Sequence, residues 1–317
     1  MAAEFAFAGL GLVILLLAGD VLVKGAVNLS LRLGIPALIV SLTVVAFGTS
    51  APELLISVKS ILDGVPGLAL GNVVGSNTAN VLLVLGIPAL ISGLTAESDT
   101  SRSFMFMIAG TFVFIAMAFM GPITWWHGLI LLAMLAVVLG DSVLAAKRHR
   151  AEANGAGSEI DDIEEADPDM PWWRIGLYLL LGLIGLPLGA DLLVDSSVAI
   201  AREFGVTETV IGLTLVAVGT SLPELATTVM AAIRRHADVA IGNVIGSNVF
   251  NLLGIIGIAS LVGPIPVDPQ FLTFDLWVML AASLVLIPFV FLHWRMGRRV
   301  GIVFCALYVA YILMVLH

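Results

Sequence analysis

Charge is what this chain has least of. Of 317 residues only 12% are Asp, Glu, Lys or Arg, 60% are hydrophobic, and the mean hydropathy is +1.10. Soluble domains carry about twice that share of charge, so a soluble globular protein is excluded. Cysteine is almost missing too. The single one, Cys305, sits in the last apolar run, which rules out an intrachain disulfide and leaves no dithiol for redox work. Neither HExxH nor GxSxG occurs, so the sequence lacks the nucleophile or catalytic-metal set of an intramembrane enzyme, and no enzyme and no cofactor are expected. No basic segment precedes the first apolar run, only Glu4, and no small-residue cleavage site follows, so that run reads as a retained helix.

What is present is long apolar runs. They fall at 5–27, 36–60, 67–91, 103–121, 123–145, 172–198, 207–232, 238–262, 274–292 and 299–316, each near the ~20 residues that a helix needs to cross a bilayer. The runs lack period-2 alternation and are too long for barrel strands. The expected fold is therefore an all-α polytopic membrane protein of ten transmembrane helices, with the lipid bilayer as its surroundings and no nucleic-acid partner. Runs four and five, and nine and ten, carry almost nothing polar and read as lipid-facing scaffold, with Trp125, Trp126 and His127 at an interface.

The net charge of −9 is mostly local: Glu152, Glu159, Asp161, Asp162, Glu164, Glu165, Asp167 and Asp169 share one loop. It has no EF-hand spacing and reads as a solvated linker. The chain divides into a first five-helix repeat at 1–145, the acidic linker at 146–170 and a second repeat at 171–317. With the N-terminus outside, eleven Lys and Arg residues of short loops fall inside and only Lys59 and Arg202 outside. The positive-inside bias thus predicts both termini outside and the linker cytoplasmic, in the cell (inner) membrane.

The repeat is visible in the residues. VVAFGTSAPE at 44–53 returns as LVAVGTSLPE at 215–224, and GNVVGSNTAN at 71–80 as GNVIGSNVFN at 242–251, all at an offset of 171 without a gap. Nine of fourteen residues are identical between 40–53 and 211–224. Each first motif puts a glutamate, Glu53 or Glu224, inside an apolar run, where an ionisable group is costly and functional by default. Pro52 within its helix is expected to free the Gly48 carbonyl, gathering it with Thr49, Ser50 and Glu53 in about one helical turn; Pro223 repeats the device with Gly219, Thr220, Ser221 and Glu224. A broken membrane helix of this kind builds cation sites. In the second motif Asn72, Ser76 and Asn80, like Asn243, Ser247 and Asn251, share one helix face. Ser76, Asn80, Ser247 and Asn251 read as ligands, and Asn72, Asn77, Asn243 and Asn248 equally as partners of backbone at the breaks. Gly71 and Gly75, with Gly242 and Gly246, permit close helix approach.

Asp20 and Lys24 in the first run form an i, i+4 pair that reads as anchoring or packing more than coordination. Because five spans is odd, the halves enter the membrane from opposite sides. Such inverted repeats are a transporter architecture with the ion site near midplane. Carboxylate, hydroxyl, amide and carbonyl oxygens suit a hard cation, and two carboxylates balance one Ca²⁺, while Na⁺ or H⁺ remain open as alternatives. A cation channel is the rival outside this class, and inverted broken helices speak against it.

GTSAPE with GNVVGSNTAN, repeated as GTSLPE with GNVIGSNVFN, resembles the α-repeats of the Na⁺/Ca²⁺ exchangers of the Ca²⁺/cation antiporter superfamily, particularly the short prokaryotic members. The resemblance covers the whole chain. It implies Glu53 and Glu224 as central Ca²⁺ ligands; Thr49, Ser50, Thr220 and Ser221 as hydroxyl or carbonyl donors, with the carbonyls of Ala46 and Ala217; and Ser76, Asn80, Ser247 and Asn251 completing the middle and flanking Na⁺ sites. It further implies exchange of Ca²⁺ for Na⁺ by alternating access, the first and sixth helices sliding against the other eight and carrying Asp20 and Asp191. Asn at 251, where some members have Asp, implies independence of K⁺. Ca²⁺/H⁺ exchange on the same fold is the alternative; those relatives show a GNAxE-type sequence where this chain has GTSxPE.

Overall fold

The structure is a computed structural model describing residues 2–96, 100–153, 167, 169–205 and 217–315. The described residues form helices and no strand; two isolated bridges, Leu94 with Met296 and Ile123 with Ile265, pin loops together. The long helices are α1 (Ala2–Leu33), α2 (Ala37–Thr49), α3 (Ala51–Leu62), α4 (Gly67–Ile91), α5 (Thr100–Phe119), α6 (Trp125–Ala153), α7 (Trp172–Glu203), α8 (Leu222–Ile233), α9 (Ala237–Val262), α10 (Phe271–Phe291) and α11 (Arg298–Val315). Among the described residues eight helices are long and apolar enough to cross a membrane, and the bent pair α2–α3 makes a ninth. The expected run at 207–232 is represented by Ala217–Gly219 and α8, the latter too short to span alone; residues 206–216 lie outside the described residues. The acidic residues 154–166 also lie outside them, and α6 continues to Ala153, past the expected boundary at 145.

The break in the second span differs from its expected form. Proline is not an interruption within one helix. Instead α2 stops at Thr49, and α3 starts at Ala51 with Pro52 in its first turn, where a missing N–H costs nothing. The two axes meet at 41°. The single N–H of the cap residue Ser50 bonds the Ala46 carbonyl at 3.0 Å, and Pro52 brings no N–H to the Gly48 carbonyl four residues before it. Pro223 likewise sits in the first turn of α8.

Small residues set the packing. α1 and α7 form the most extensive pair, antiparallel and in backbone contact: a Cβ on Gly11 would lie 2.7 Å from the Leu193 nitrogen, and one on Gly189 2.8 Å from that of Leu15. Only glycine allows that approach. α9 is buried on nearly every side and forms the centre, while α6 faces mostly outward. α9 also meets α2 closely, since a Cβ on Gly246 would fall 2.5 Å from the Leu42 carbonyl oxygen. The expectation that α5 is lipid-facing is corrected for one of its faces, while Met105, Phe112 and Phe119 on the other are exposed. The helix buries Phe104, Met107, Thr111 and Phe114, with Gly110 against Leu253 of α9.

Four stretches widen into π turns: Ser41–Val45, Asn80–Val84, Phe250–Ile255 and Phe271–Asp275. Two of them begin at or beside Asn80 and Asn251, and such widened turns gather at functional positions.

Candidate functional site

The centre is assembled from both halves of the chain. Glu53 in the first turn of α3 and Glu224 in the first turn of α8 are 1% and 0% exposed. A first turn has unsatisfied N–H groups and the positive end of the helix dipole, so it is the part of a helix that best tolerates a buried anion. The Ser50 hydroxyl donates to Oε1 of Glu224 at 3.1 Å, and the two carboxylates are near enough for their charges to interact.

Asparagines brace each break from the neighbouring helix. Asn72 Nδ2 donates to the Glu53 carbonyl at 3.3 Å and to Ser57 Oγ at 3.2 Å. Asn243 Nδ2 donates to the Glu224 carbonyl at 3.4 Å and to Thr228 Oγ1 at 3.2 Å, and each of these residues lies 171 after its counterpart. Thr49 Oγ1 lies 3.3 Å from the Ala46 carbonyl and 3.4 Å from Asn243 Oδ1, two acceptors that share its one proton. The Ala46 carbonyl accepts the Ser50 N–H at 3.0 Å, so one of its lone pairs is already taken. Thr220 is half-buried, and Ala217 opens the short helix Ala217–Gly219.

Ten buried side-chain atoms lack a hydrogen-bond partner among the described residues. Seven are oxygens of this constellation: Glu53 Oε2, Ser76 Oγ, Asn80 Oδ1, Ser221 Oγ, Glu224 Oε2, Ser247 Oγ and Asn251 Oδ1. Each orphaned polar atom costs about 1–3 kcal/mol, so seven on mutually packed elements call for water or an ion to satisfy them. Every one can accept, none is nitrogen or sulfur, and two belong to carboxylates: the chemistry fits a hard cation. No cluster of three or more His, Cys, Asp or Glu exists among the described residues, which is consistent with a site built mainly from neutral oxygens.

The repeat mates Asp20 and Asp191 lie in different surroundings. A cavity of about 130 Å³ lies between α7 and the two breaks, lined by Pro52, Gly219, Thr220 and Pro223 and by the exposed Asp191 and Asp195. Asp20, the repeat mate of Asp191, is instead held by an ion pair to Arg234 beyond the end of α8, with Lys24 Nζ at 3.5 Å. The tie to Arg234 has no signal in local spacing, and the i, i+4 reading missed it. Asn77 and Asn248 also emerge as more than break-side partners, as described below.

Helical spans around a buried, oxygen-lined centre define a class, the multi-pass membrane transporters. The family model "Sodium/calcium exchanger protein" matches residues 4–142 and 175–317, and the chain belongs to that family, whose members are exchangers and not enzymes. It is 33% identical to the sodium/calcium exchanger MaX1 of Methanosarcina acetivorans, over 97% of each chain. It is 34% identical to the inner membrane protein YrbG of Escherichia coli, over 96% of this chain and 94% of that one. Among solved structures it is similar to the sodium-calcium exchanger NCX_Mj soaked with 10 mM Na⁺ and zero Ca²⁺, at a TM-score of 0.82, 30% identity and 98% coverage of both.

Proposed function

We propose that this protein is a secondary antiporter that exchanges Ca²⁺ for Na⁺ by alternating access, without K⁺. The observation that carries the reading is the set of seven unpartnered buried oxygens drawn from both repeats. In it Glu53 and Glu224 take the Ca²⁺, with Thr49, Ser50, Thr220 and Ser221 and the carbonyls of Ala46 and Ala217 around them. Ser76, Asn80, Ser247 and Asn251 complete the middle and Na⁺ positions. Of these, Ala46 has the weakest support, since its carbonyl already accepts the Ser50 N–H.

Two carboxylates neutralise one Ca²⁺ or about two monovalent ions, and an empty site leaves two anions facing each other in a low dielectric. The carrier then crosses between its faces only when loaded, which makes exchange obligatory. Neutral amides at Asn80 and Asn251 leave no third charge for K⁺. The layout that goes with this reading is ten spans as two inverted five-helix repeats, 1–145 and 171–317, joined by a cytoplasmic linker at 146–170, both termini outside in the inner membrane. Matched hydrogen bonds at a constant offset of 171 support the repeat.

The test is Ca²⁺ flux in proteoliposomes under separately imposed gradients. A Na⁺ gradient is expected to drive Ca²⁺ movement with or without K⁺. Movement driven by a pH gradient alone would replace Na⁺ with H⁺ as the counter-ion, and current carried by one ion without any counter-gradient would make the protein a channel.

A further inference from the structure

Where α4 and α9 cross, Asn77 and Asn248 close a hydrogen-bonded ring that Asn251 and Asn80 extend, all four of them 1% exposed or less. Asn77 Nδ2 donates to the Asn248 backbone carbonyl at 3.4 Å, and Asn248 Nδ2 returns the bond to the Asn77 carbonyl at 3.4 Å. Asn251 Nδ2 donates to Asn77 Oδ1 at 3.0 Å, and Asn80 Nδ2 to Asn248 Oδ1 at 3.1 Å.

The orientation of a carboxamide is normally ambiguous, because oxygen and nitrogen have nearly the same shape. Here it is fixed by logic. A backbone carbonyl only accepts, so the atom of Asn77 facing the Asn248 carbonyl must be Nδ2, and the other atom of Asn77 must be Oδ1. An acceptor there requires a donor from Asn251, which therefore presents Nδ2 to the ring and Oδ1 away from it. The same steps, started from the Asn77 carbonyl, fix Asn248 and then Asn80. The oxygens of Asn80 and Asn251 are left over, buried and without partners, beside the other orphaned oxygens of the site.

We infer that Asn77 and Asn248 are positioning residues: each orients the amide of the site residue on the opposite repeat, Asn77 that of Asn251 and Asn248 that of Asn80, so that oxygen and not N–H meets the cation. The inference rests on the proposed cation site and adds to it the residues that aim its neutral ligands. The ring also explains why both site positions are amides. A carboxylate at either would set oxygen against oxygen at the ring contact, where only a donor is accommodated. A ring that served only as glue between two helices would couple 77 to 251 in the melting temperature of the Ca²⁺-free protein and not in Ca²⁺ affinity.

That pairing is what the experiment reads. The purified full-length protein is titrated with Ca²⁺, binding is followed by the Ca²⁺-dependent rise in melting temperature, and flux is measured in proteoliposomes. Asn77→Ala and Asn251→Ala are each expected to weaken Ca²⁺ binding on the order of tenfold. The Asn77→Ala/Asn251→Ala pair is expected to match Asn251→Ala alone within about twofold. Asn77→Ala/Asn80→Ala is expected to show the product of its single effects, and Asn248 the mirror pattern, coupled to Asn80. Asn77→Ser keeps an acceptor for the Asn251 amide and is expected to lose less than Asn77→Ala; it also serves if the alanine variant shows no cooperative melt. Effects of 77 and 251 that multiply, or equal losses in the Ser and Ala variants, would overturn the positioning role while leaving the site intact. Parent-like binding in Asn251→Ala would remove that residue from the ligand set, and this inference with it.

Discussion

The hydroxyl of Ser50 donates to Oε1 of Glu224, 3.1 Å away and 174 residues further along the chain. One break thus supports the carboxylate of the other, and the two glutamates act as one unit. Replacing either acid with its amide removes half the negative charge of that unit. Glu53→Gln and Glu224→Gln are each expected to cut Ca²⁺ exchange by at least about a hundredfold, since an ion–carboxylate contact in a low dielectric is worth several kcal/mol. Both variants should still insert and melt cooperatively. Flux near the parent's in either one would take that residue out of the site.

The helix crossing that holds this unit together is tight enough to test by stability alone. A methyl at Gly246 would meet the Leu42 carbonyl oxygen at 2.5 Å and the Ala46 Cβ at 2.6 Å, so α2 and α9 would have to separate. Gly246→Ala is expected to destabilise by about 1–3 kcal/mol and to weaken Ca²⁺ binding as α2 shifts. Gly140→Ala in α6, where a Cβ meets nothing within 4 Å, is the comparison and should be neutral or slightly stabilising. Equal melting temperatures in detergent for the two would contradict the close crossing.

Much of this centre can be read from the residues, because a glutamate in an apolar run and a 171-residue echo are both one-dimensional signals. Ser50, Glu53, Ser76 and Asn80 and their mates were therefore accessible to spacing alone. The burial of α5 was not. Lipid tails are as apolar as a protein core, so hydropathy does not separate Phe104, Met107 and Phe114, which are buried within the protein, from residues that face the bilayer. The Pro52 break was correctly located but wrongly built, since the same proline that interrupts a helix interior also starts a new one. The direction of the Asn80 and Asn251 amides depends on a hydrogen-bonded network across both repeats, and no window of sequence contains it.

That network makes a charge-only change at one position informative. In Asn251→Asp the oxygen replacing Nδ2 would face Asn77 Oδ1, two acceptors with no proton between them. A proton on the new acid relieves the clash, and so does displacement toward the cation. Either way the Na⁺ and Ca²⁺ preference of the variant should change, and its pH–activity profile should move away from the parent's. Ion competition assays over a pH series check both; unchanged selectivity and an unchanged profile would reduce position 251 to packing.

The ion pair between Asp20 and Arg234 distinguishes the two sides of the molecule. Asp20 accepts from Arg234 and has Lys24 at 3.5 Å, whereas at the matched positions of the second repeat stand Asp191 and Asp195, both exposed beside the cavity that reaches the helix breaks. In the proposed alternating-access cycle, opening the Asp20 side would separate α1 from the end of α8 and break that pair, whereas opening the Asp191 side would not. Arg234→Gln and Asp20→Asn are therefore expected to shift the resting population toward opening on the Asp20 side, on the order of tenfold for a partly buried charged pair. Cysteine accessibility measures this directly in a Cys305→Ala background. A reporter at Ala190, on the cavity wall, should label more slowly with a membrane-impermeant thiol reagent in either variant than in the parent. Unchanged labelling in both would mean that the pair fastens α1 to α8 without biasing which face is open.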